Sequence, residues 1–340
     1  MHRFFHLVDK SPSRHSAQPG FCRRGLEFRA LGTFALRGTA ICNTPSYGNF
    51  GVRLMVSGAE SHHTKRHGLR AELPRARLFR RRKVDHVNFV VAGVQKAGTT
   101  ALHDFLAQHP HVALLRDQAL HFFDKEEHFG SSRAGLVTEP DYDVLLENFD
   151  SGWRWRVAGE VTADYLYYPR ALERIARYNA DMKVIVSLRN PVERAFSQWN
   201  MRREKGQEPL EFLDALKRDQ ETGIWRGPRG NAYIARSLYS VQLEKLYNLF
   251  PRKQVLVLKY EELRRNPFGA IDRVFDFIGV KRLRNLRNRQ RNVGSYSRKL
   301  TSEEREYGSA IFEEDITNVE NLLGWDCNDW RVKAAVSAAA

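Results

Sequence analysis

The sequence is poor in cysteine. It has three in 340 residues, Cys22, Cys42 and Cys327, and they lie far apart. Thiols this few and this widely spaced provide neither a disulfide framework nor a cluster of metal ligands. We therefore expect a reducing compartment, with the cytoplasm as the default location.

Long apolar runs are also missing. No stretch of the sequence approaches the roughly 20 consecutive apolar residues that span a bilayer. The apolar run within residues 1–7 is too short for the core of a signal peptide. The sequence thus predicts no transmembrane segment.

Positive charge is abundant but concentrated in one part of the chain. The net charge is +15, and residues 1–84 hold 17 Lys and Arg against 4 Asp and Glu, whereas residues 85–340 hold 38 against 36. The near-neutral body argues against a nucleic-acid partner for the folded domain. Residues 1–84 are interpreted as a disordered basic leader, a transit-type segment or sequence upstream of the true start. If the leader itself binds nucleic acid, its deletion should abolish a salt-sensitive contact.

A strand, a glycine loop and a helix follow the leader. Residues 86–92 form a short β-branched run typical of a buried strand. The loop 93–98 is bounded by glycines, and Thr99 is in position to cap a helix that ends at His109 and the following proline. This succession is the opening of a nucleotide-binding α/β fold.

The same alternation continues along the chain. A second apolar strand over 183–188 precedes Asn190-Pro191, a helix N-cap followed by a first-turn proline. Another strand over 254–258 lies between two helical patterns. The alternation predicts an α/β, three-layer, P-loop-like domain over 85–332, with helices on both faces of a central parallel sheet and a short tail at 333–340.

The glycine loop resembles a Walker P-loop but departs from it at one position. Both glycines are present, yet Thr99 stands where the Walker lysine belongs, and a lysine, Lys96, lies inside the loop. Backbone N–H groups at the start of a helix can still bind an anion there. A P-loop nucleotide kinase would need an Asp for Mg²⁺ at the end of the second strand, and that strand is followed by Arg189. A kinase therefore stays only as an alternative.

These stretches resemble the sulfotransferases that use 3′-phosphoadenosine 5′-phosphosulfate (PAPS). Residues 93–100 are similar to the family's 5′-phosphosulfate loop, and residues 187–197 to its 3′-phosphate segment, an Arg at a strand end with a Ser eight residues later. Further stretches resemble the heparan-sulfate-type glycan sulfotransferases: 121–129, 159–165, 259–267, 291–297 and 322–326.

The resemblance implies sulfuryl transfer from PAPS to a hydroxyl or amine, with a glycan as the expected acceptor. Lys96 would stabilise the charge on the leaving oxygen, so no metal is expected. Arg189 and Ser197 would hold the ribose 3′-phosphate. The full set of donor-binding residues implied is Gln95, Lys96, Ala97, Gly98, Thr99, Thr100, Arg189, Ser197, Arg291, Gly294, Ser295 and Tyr296.

The acceptor side departs from the family pattern. The family's catalytic Glu, two residues before the His-Phe-Phe motif, is Ala119 here, and the Lys of the second motif is Val161. His121 is the first candidate for the missing base because imidazole titrates near neutral pH, and Glu160 is the second. The alternatives are a His121 that merely packs beside two core phenylalanines, and a non-catalytic relative that only binds the nucleotide.

Overall fold

The computed structural model describes residues 83–115, 119–129, 140–150, 152, 154–168, 170–222, 231–289, 296 and 298–332. Within these ranges no helix combines the length and the apolar character needed to cross a bilayer.

The described residues contain five strands that form one sheet. They are β1 Phe89–Gly93, β2 Val112–Leu114, β3 Val157–Val161, β4 Lys183–Leu188 and β5 Val255–Lys259. All neighbours pair in parallel, in the order β2-β3-β1-β4-β5. The first strand is therefore central, and the loops that follow β1 and β4 leave the sheet side by side at its carboxyl edge.

Nine α-helices accompany the sheet in the same ranges. They are α1 Thr99–Leu106, α2 Asp143–Leu146, α3 Ala171–Tyr178, α4 Pro191–Glu204, α5 Phe212–Glu221, α6 Tyr239–Leu249, α7 Tyr260–Arg265, α8 Pro267–Ile278 and α9 Ser302–Leu323.

Alternate side chains of the central strand enter two different hydrophobic cores. Phe89 and Val91 belong to the core beneath α1 and α8, whereas Val90 and Ala92 belong to the larger core with α3, α4, α6 and α9. Every residue of β1 is buried, as a parallel strand covered on both faces requires. The predicted α/β fold, a central parallel sheet with helices on both faces, is confirmed.

Gly159 allows the two central strands to pack closely. A Cβ atom added at Gly159 would lie 2.0 Å from a ring carbon of Phe89. Because β3 pairs with β1 at this register, the Phe89 ring occupies the space that any side chain would need. Only glycine leaves this part of the core undisturbed.

The first helix differs from its prediction at both ends. Gly98 is the N-cap, with φ of 83°, and Thr99 is the first helical residue without a capping hydrogen bond from its side chain. The helix ends at Leu106, three residues before His109. A left-handed glycine suffices to start the helix, so the threonine hydroxyl is not used as a cap.

Asn190 links three segments through one side chain. Its Oδ1 accepts hydrogen bonds from the backbone N–H groups of Val192 and Glu193, at 3.0 and 3.2 Å, which makes it the predicted cap of α4. Its Nδ2 donates to the carbonyl of Trp330 at 3.0 Å. The end of β4 is thereby connected to a segment about 140 residues later in the chain.

Candidate active site

The loop between β1 and α1 is fixed by the neighbouring strand. The Val94 N–H donates to the Ser187 carbonyl at 2.9 Å, and the Ser187 hydroxyl donates to the Ala97 carbonyl at 2.7 Å. Both bonds tie the loop to β4 at the carboxyl edge of the sheet. The first N–H groups of α1, which follow the loop, have no partners within the helix and are available to an anion.

Gly98 has no room for a side chain. A Cβ atom there would lie 3.1 Å from Leu263 and from the Tyr260 ring, and the φ of 83° is one that residues with a side chain rarely adopt. The glycine therefore permits both the turn and the close contact with α7. This supports the requirement for glycine that the sequence pattern predicted at this position.

Lys96 is half-buried in this loop, in a left-handed conformation with φ of 75°. Burial lowers the pKa of its ammonium group, nearby Tyr296 opposes that effect, and Arg189 lowers the pKa further. A cation that is partly desolvated and close to a second cation is stabilised by a bound anion.

Arg189 reaches the same loop from the end of β4. Its side chain is 9% exposed, and its Nη1 donates to the backbone carbonyl of Lys96 at 3.2 Å. Its Nη2 contacts Glu193 at 3.2 Å, and the guanidinium lies 4.8 Å from the centre of the Tyr260 ring. Among the described residues nothing hydrogen bonds to its buried Nε. A buried guanidinium with an unused donor is suited to an anionic group.

Tyr296 and Ser197 complete this side of the site. The Tyr296 hydroxyl donates to Ser197 Oγ at 2.9 Å. Although burial raises the pKa of Tyr296, the Arg189 charge and the hydrogen bonds outweigh burial, and the pKa is lowered. The two predicted 3′-phosphate contacts, Arg189 and Ser197, therefore lie together with Tyr296, another predicted donor-binding residue. The predicted contacts Arg291, Gly294 and Ser295 lie outside the described residues.

The two predicted anion sites adjoin each other. One is the loop with Lys96, the other is the group of Arg189, Ser197 and Tyr296, and the Arg189–Lys96 hydrogen bond joins them. Their cations and the unused Nε donor fit a ligand with separate anionic groups at two positions. A nucleotide with phosphate groups on both the 5′ and the 3′ positions of its ribose has this character.

His121, the first candidate base, borders solvent and is not a core residue. Its side chain is 34% exposed, whereas Phe122 and Phe123 next to it are fully buried. Its Nδ1 lies 2.6 Å from Asp124 Oδ2. The hydrogen bond to Asp124, more than any other effect, raises the pKa of the ring. With the proton on Nδ1 directed at the carboxylate, Nε2 of the neutral ring is a hydrogen-bond acceptor.

Glu160, the second candidate base, is directed into the core. It is 0% exposed, and its Oε1 accepts hydrogen bonds from Tyr165 and, at 2.9 Å, from Thr162. Burial raises its pKa to about 7. Its carboxyl does not reach the surface that an acceptor would occupy, so the geometry favours His121 of the two.

Sequence reasoning missed three charged residues, Asp124, Asp164 and Arg236, which together with His121 form the predicted acceptor side. Asp124 and Asp164 both lie inside motifs that were recognised, but neither was assigned a role. Arg236 forms an ion pair with Asp164 and lies 4.3 Å from the centre of the Tyr167 ring. Asp164 and Arg236 are 72 residues apart in the sequence, and no local sequence pattern predicts that they pair.

Known proteins resemble this chain over most of the described domain. The family model described as "Sulfotransferase domain" matches residues 87–298. A sulfotransferase structure from Alicyclobacillus acidocaldarius matches with a TM-score of 0.63 and 29% identity, covering 73% of this chain and all of that one.

Curated relatives of the chain have names that refer to heparan sulfate. The mouse protein named heparan sulfate glucosamine 3-O-sulfotransferase 3B1 is 31% identical over 198 residues, 57% of this chain and 46% of that protein. The mouse bifunctional heparan sulfate N-deacetylase/N-sulfotransferase 4 is 28% identical over 208 residues, 59% of this chain and 23% of that protein. The chain thus matches less than half the length of these relatives.

Proposed function

This chain belongs to the sulfotransferase domain family, and we propose that it transfers a sulfuryl group from PAPS to a hydroxyl or amine of a glycan. The family makes it a transferase. The donor, the acceptor and the residue roles are the proposal.

One observation carries the proposal: the guanidinium of Arg189 contacts the backbone of the loop that holds Lys96. A single nucleotide can therefore place its 5′ group on the loop and its 3′-phosphate against Arg189, Ser197 and Tyr296. ATP lacks the 3′-phosphate and would leave the second site empty. The arrangement supports PAPS over a nucleoside triphosphate.

The proposed chemistry divides between the two sides of the site. A lone pair of the acceptor forms a bond to sulfur while the bond from sulfur to the bridging oxygen breaks. The electron pair stays on that oxygen, where Lys96 and the first N–H groups of α1 stabilise the charge. The acceptor proton passes to Nε2 of His121, whose ring is held by Asp124.

The names of the relatives support a glycan acceptor. Both the 3-O-sulfotransferase and the N-sulfotransferase act, by their names, on heparan sulfate. We propose a related amino-sugar polymer as the acceptor. The cytoplasmic location and the absence of a metal requirement stay predictions.

Calorimetry on the full chain tests the donor assignment. We expect 3′-phosphoadenosine 5′-phosphate (PAP) to bind more tightly than ATP, whether or not Mg²⁺ is present. Tighter binding of ATP with Mg²⁺ would favour the kinase alternative. PAP binding without transfer to any glycan would identify a non-catalytic relative.

A further inference from the structure

We propose that Asp164 and His121 together bind the glycan that is sulfated. Each of the two side chains accepts a hydrogen bond at the reacting group of that glycan. This inference rests on the proposed function and names the chemistry that the acceptor must present. That chemistry is a pair of neighbouring hydrogen-bond donors, supplied by a primary amine or by two adjacent hydroxyls.

The spacing of the two side chains leaves room for a ligand atom. Nε2 of His121 lies 3.9 Å from Oδ2 of Asp164, which is beyond hydrogen-bond distance. The other ring nitrogen of His121 is already engaged by Asp124 at 2.6 Å. An atom that donates about 2.8 Å hydrogen bonds to both groups fits between them.

Arg236 fixes which oxygen of Asp164 is available. The guanidinium of Arg236 is 6% exposed, stacks on Tyr167 and forms an ion pair with Oδ1 of Asp164. Asp164 itself is 14% exposed, so it borders solvent while its partner is buried. The ion pair engages Oδ1 and leaves Oδ2, the oxygen near His121, to accept a hydrogen bond from a ligand.

Asp164 also follows the strand that adjoins Ala119, the position where the family pattern has its Glu. The N–H of Ala119 donates to the carbonyl of Val161, the last residue of β3, at 3.0 Å. Asp164 follows three residues later, in the turn after that strand. The chain therefore lacks a carboxylate at Ala119 and has one on the segment beside it.

The two hydrogen-bond-accepting side chains, His121 and Asp164, distinguish an amine from a single hydroxyl on the glycan. A primary amine has two hydrogens, one for Nε2 of His121 and one for Oδ2 of Asp164. A single hydroxyl has one hydrogen and satisfies only one of the two groups. In the transfer, the new bond forms between the acceptor atom and sulfur. The hydrogen facing His121 leaves as the proton, and the hydrogen facing Asp164 stays on the product or on the adjacent hydroxyl.

Replacement of the carboxylate by its amide tests this assignment. We compare Asp164→Asn with the wild-type full chain, using PAPS as donor. The acceptors are oligomers of glucosamine, which carry free amines, and of N-acetylglucosamine, which offer hydroxyls. Release of PAP above the rate with water reports transfer, and analysis of the product separates N-sulfation from O-sulfation. Asp276→Asn is the matched control because Asp276 also pairs with an arginine, Arg282, at an exposed place on α8.

We expect Asp164→Asn to lower kcat at least about 10-fold with PAP affinity within about twofold of wild type. The carboxylates that act on His121 are Asp124, Asp164 and Glu160. Loss of the Asp164 charge should move the acidic limb of kcat/KM to lower pH. A residue with a purely structural role would lower activity without moving that limb. Asp164→Glu should recover part of the rate, and Asp276→Asn should match wild type.

Several results would overturn the inference. One is an Asp164→Asn variant with wild-type kcat and an unmoved acidic limb. Another is a wild-type chain that binds PAP but releases no more PAP with either oligomer than with water. If Asp164→Asn melts at a much lower temperature than the control variant, the rate of Asp164→Glu decides the question. An Asp164→Glu rate no higher than that of Asp164→Asn would reject a role for Asp164 in binding the glycan. Failure to bind PAP at all would instead refute the proposed function.

Discussion

The donor side and the acceptor side of the site differ in their charged groups. The donor side gathers the cations Lys96 and Arg189 around main-chain N–H groups, whereas the acceptor side places the carboxylates of Asp124 and Asp164 beside His121, with Arg236 paired to Asp164. The proposed donor is a polyanion whose charge the protein must balance. The proposed acceptor must lose a proton, which a carboxylate-supported imidazole favours. In the proposed reaction the two sides therefore serve opposite halves of one transfer.

The two sides also differ in how closely they follow their family. The donor loop and the Arg189 segment match the sulfotransferase pattern residue for residue at the positions that bind charge. On the acceptor side, Ala119 and Val161 stand where the family pattern has a Glu and a Lys. With PAPS as the proposed donor, we expect the donor site to follow the family pattern, whereas an acceptor site can change with its substrate. The following predictions test this contrast.

The largest effect is expected from Lys96→Ala. Removal of the cation that stabilises the leaving oxygen should lower kcat about 10³-fold. PAP release from PAPS, with a glucosamine oligomer as acceptor, measures it. Lys125→Ala is the control, because that lysine is partly exposed and pairs with exposed Glu127 at 3.8 Å. A Lys96→Ala enzyme within threefold of wild type would exclude Lys96 from the chemistry.

His121→Ala should have the next largest effect. Loss of the base lowers kcat about 10²-fold, and PAP affinity stays unchanged because the donor side is intact. The same release assay and calorimetry measure the two quantities. Near-wild-type turnover would remove His121 from the mechanism and leave the acceptor side without a base.

Arg189→Met should weaken PAP binding by about 10-fold to 100-fold, because the variant loses a hydrogen bond to a charged group. Adenosine 5′-phosphosulfate lacks the 3′-phosphate, so its affinity should fall much less. Calorimetry with both ligands gives the comparison. Equal losses for the two nucleotides would show that Arg189 acts through folding and not through the 3′-phosphate.

The pH dependence should report His121. The hydrogen bond to Asp124 raises its pKa above the ordinary value of 6.5, and the base must be neutral to accept a proton. Activity should therefore fall as the pH drops through a value above 6.5, and His121→Ala should lack this limb. An acidic limb below 6.5 in wild-type kcat/KM would contradict the assignment.

The smallest effect is expected from metal removal. Because Lys96 and helix N–H groups are assigned the charge of the leaving oxygen, EDTA should leave kcat within about 20% of the untreated enzyme. Loss of activity in EDTA that Mg²⁺ restores would point to a metal-dependent phosphotransferase.

Local patterns in the sequence predicted the fold and the donor side. The buried run of β4 and the Asn190-Pro191 cap lie as predicted, because continuous apolar strands and caps are encoded by neighbouring residues. Arg189 directly follows β4 and Ser197 lies on α4, the next helix, so their proximity is also local. The predicted Thr99 cap is wrong because a left-handed Gly98 starts the helix.

The acceptor side could be predicted only in part. His121 and Asp124 are three residues apart, yet their contact depends on the left-handed backbone of His121, with φ of 58°, which no sequence pattern indicates. The pairing of Asp164 with Arg236 depends on the packing of distant segments. The burial of Glu160, which decides against it as a base, is likewise a property of the folded core.

The hydrogen bonds of the Asn190 side-chain amide determine what a C-terminal truncation would do to the nucleotide site. It caps the helix that follows Arg189 and, through Nδ2, contacts the Trp330 carbonyl. A protein truncated before Trp330 would leave that amide without its distant acceptor, immediately beside the arginine assigned to the 3′-phosphate. Weaker nucleotide binding in such a truncated protein would then reflect the lost hydrogen bond between Asn190 and Trp330. All the residues proposed to contact the nucleotide would still be present.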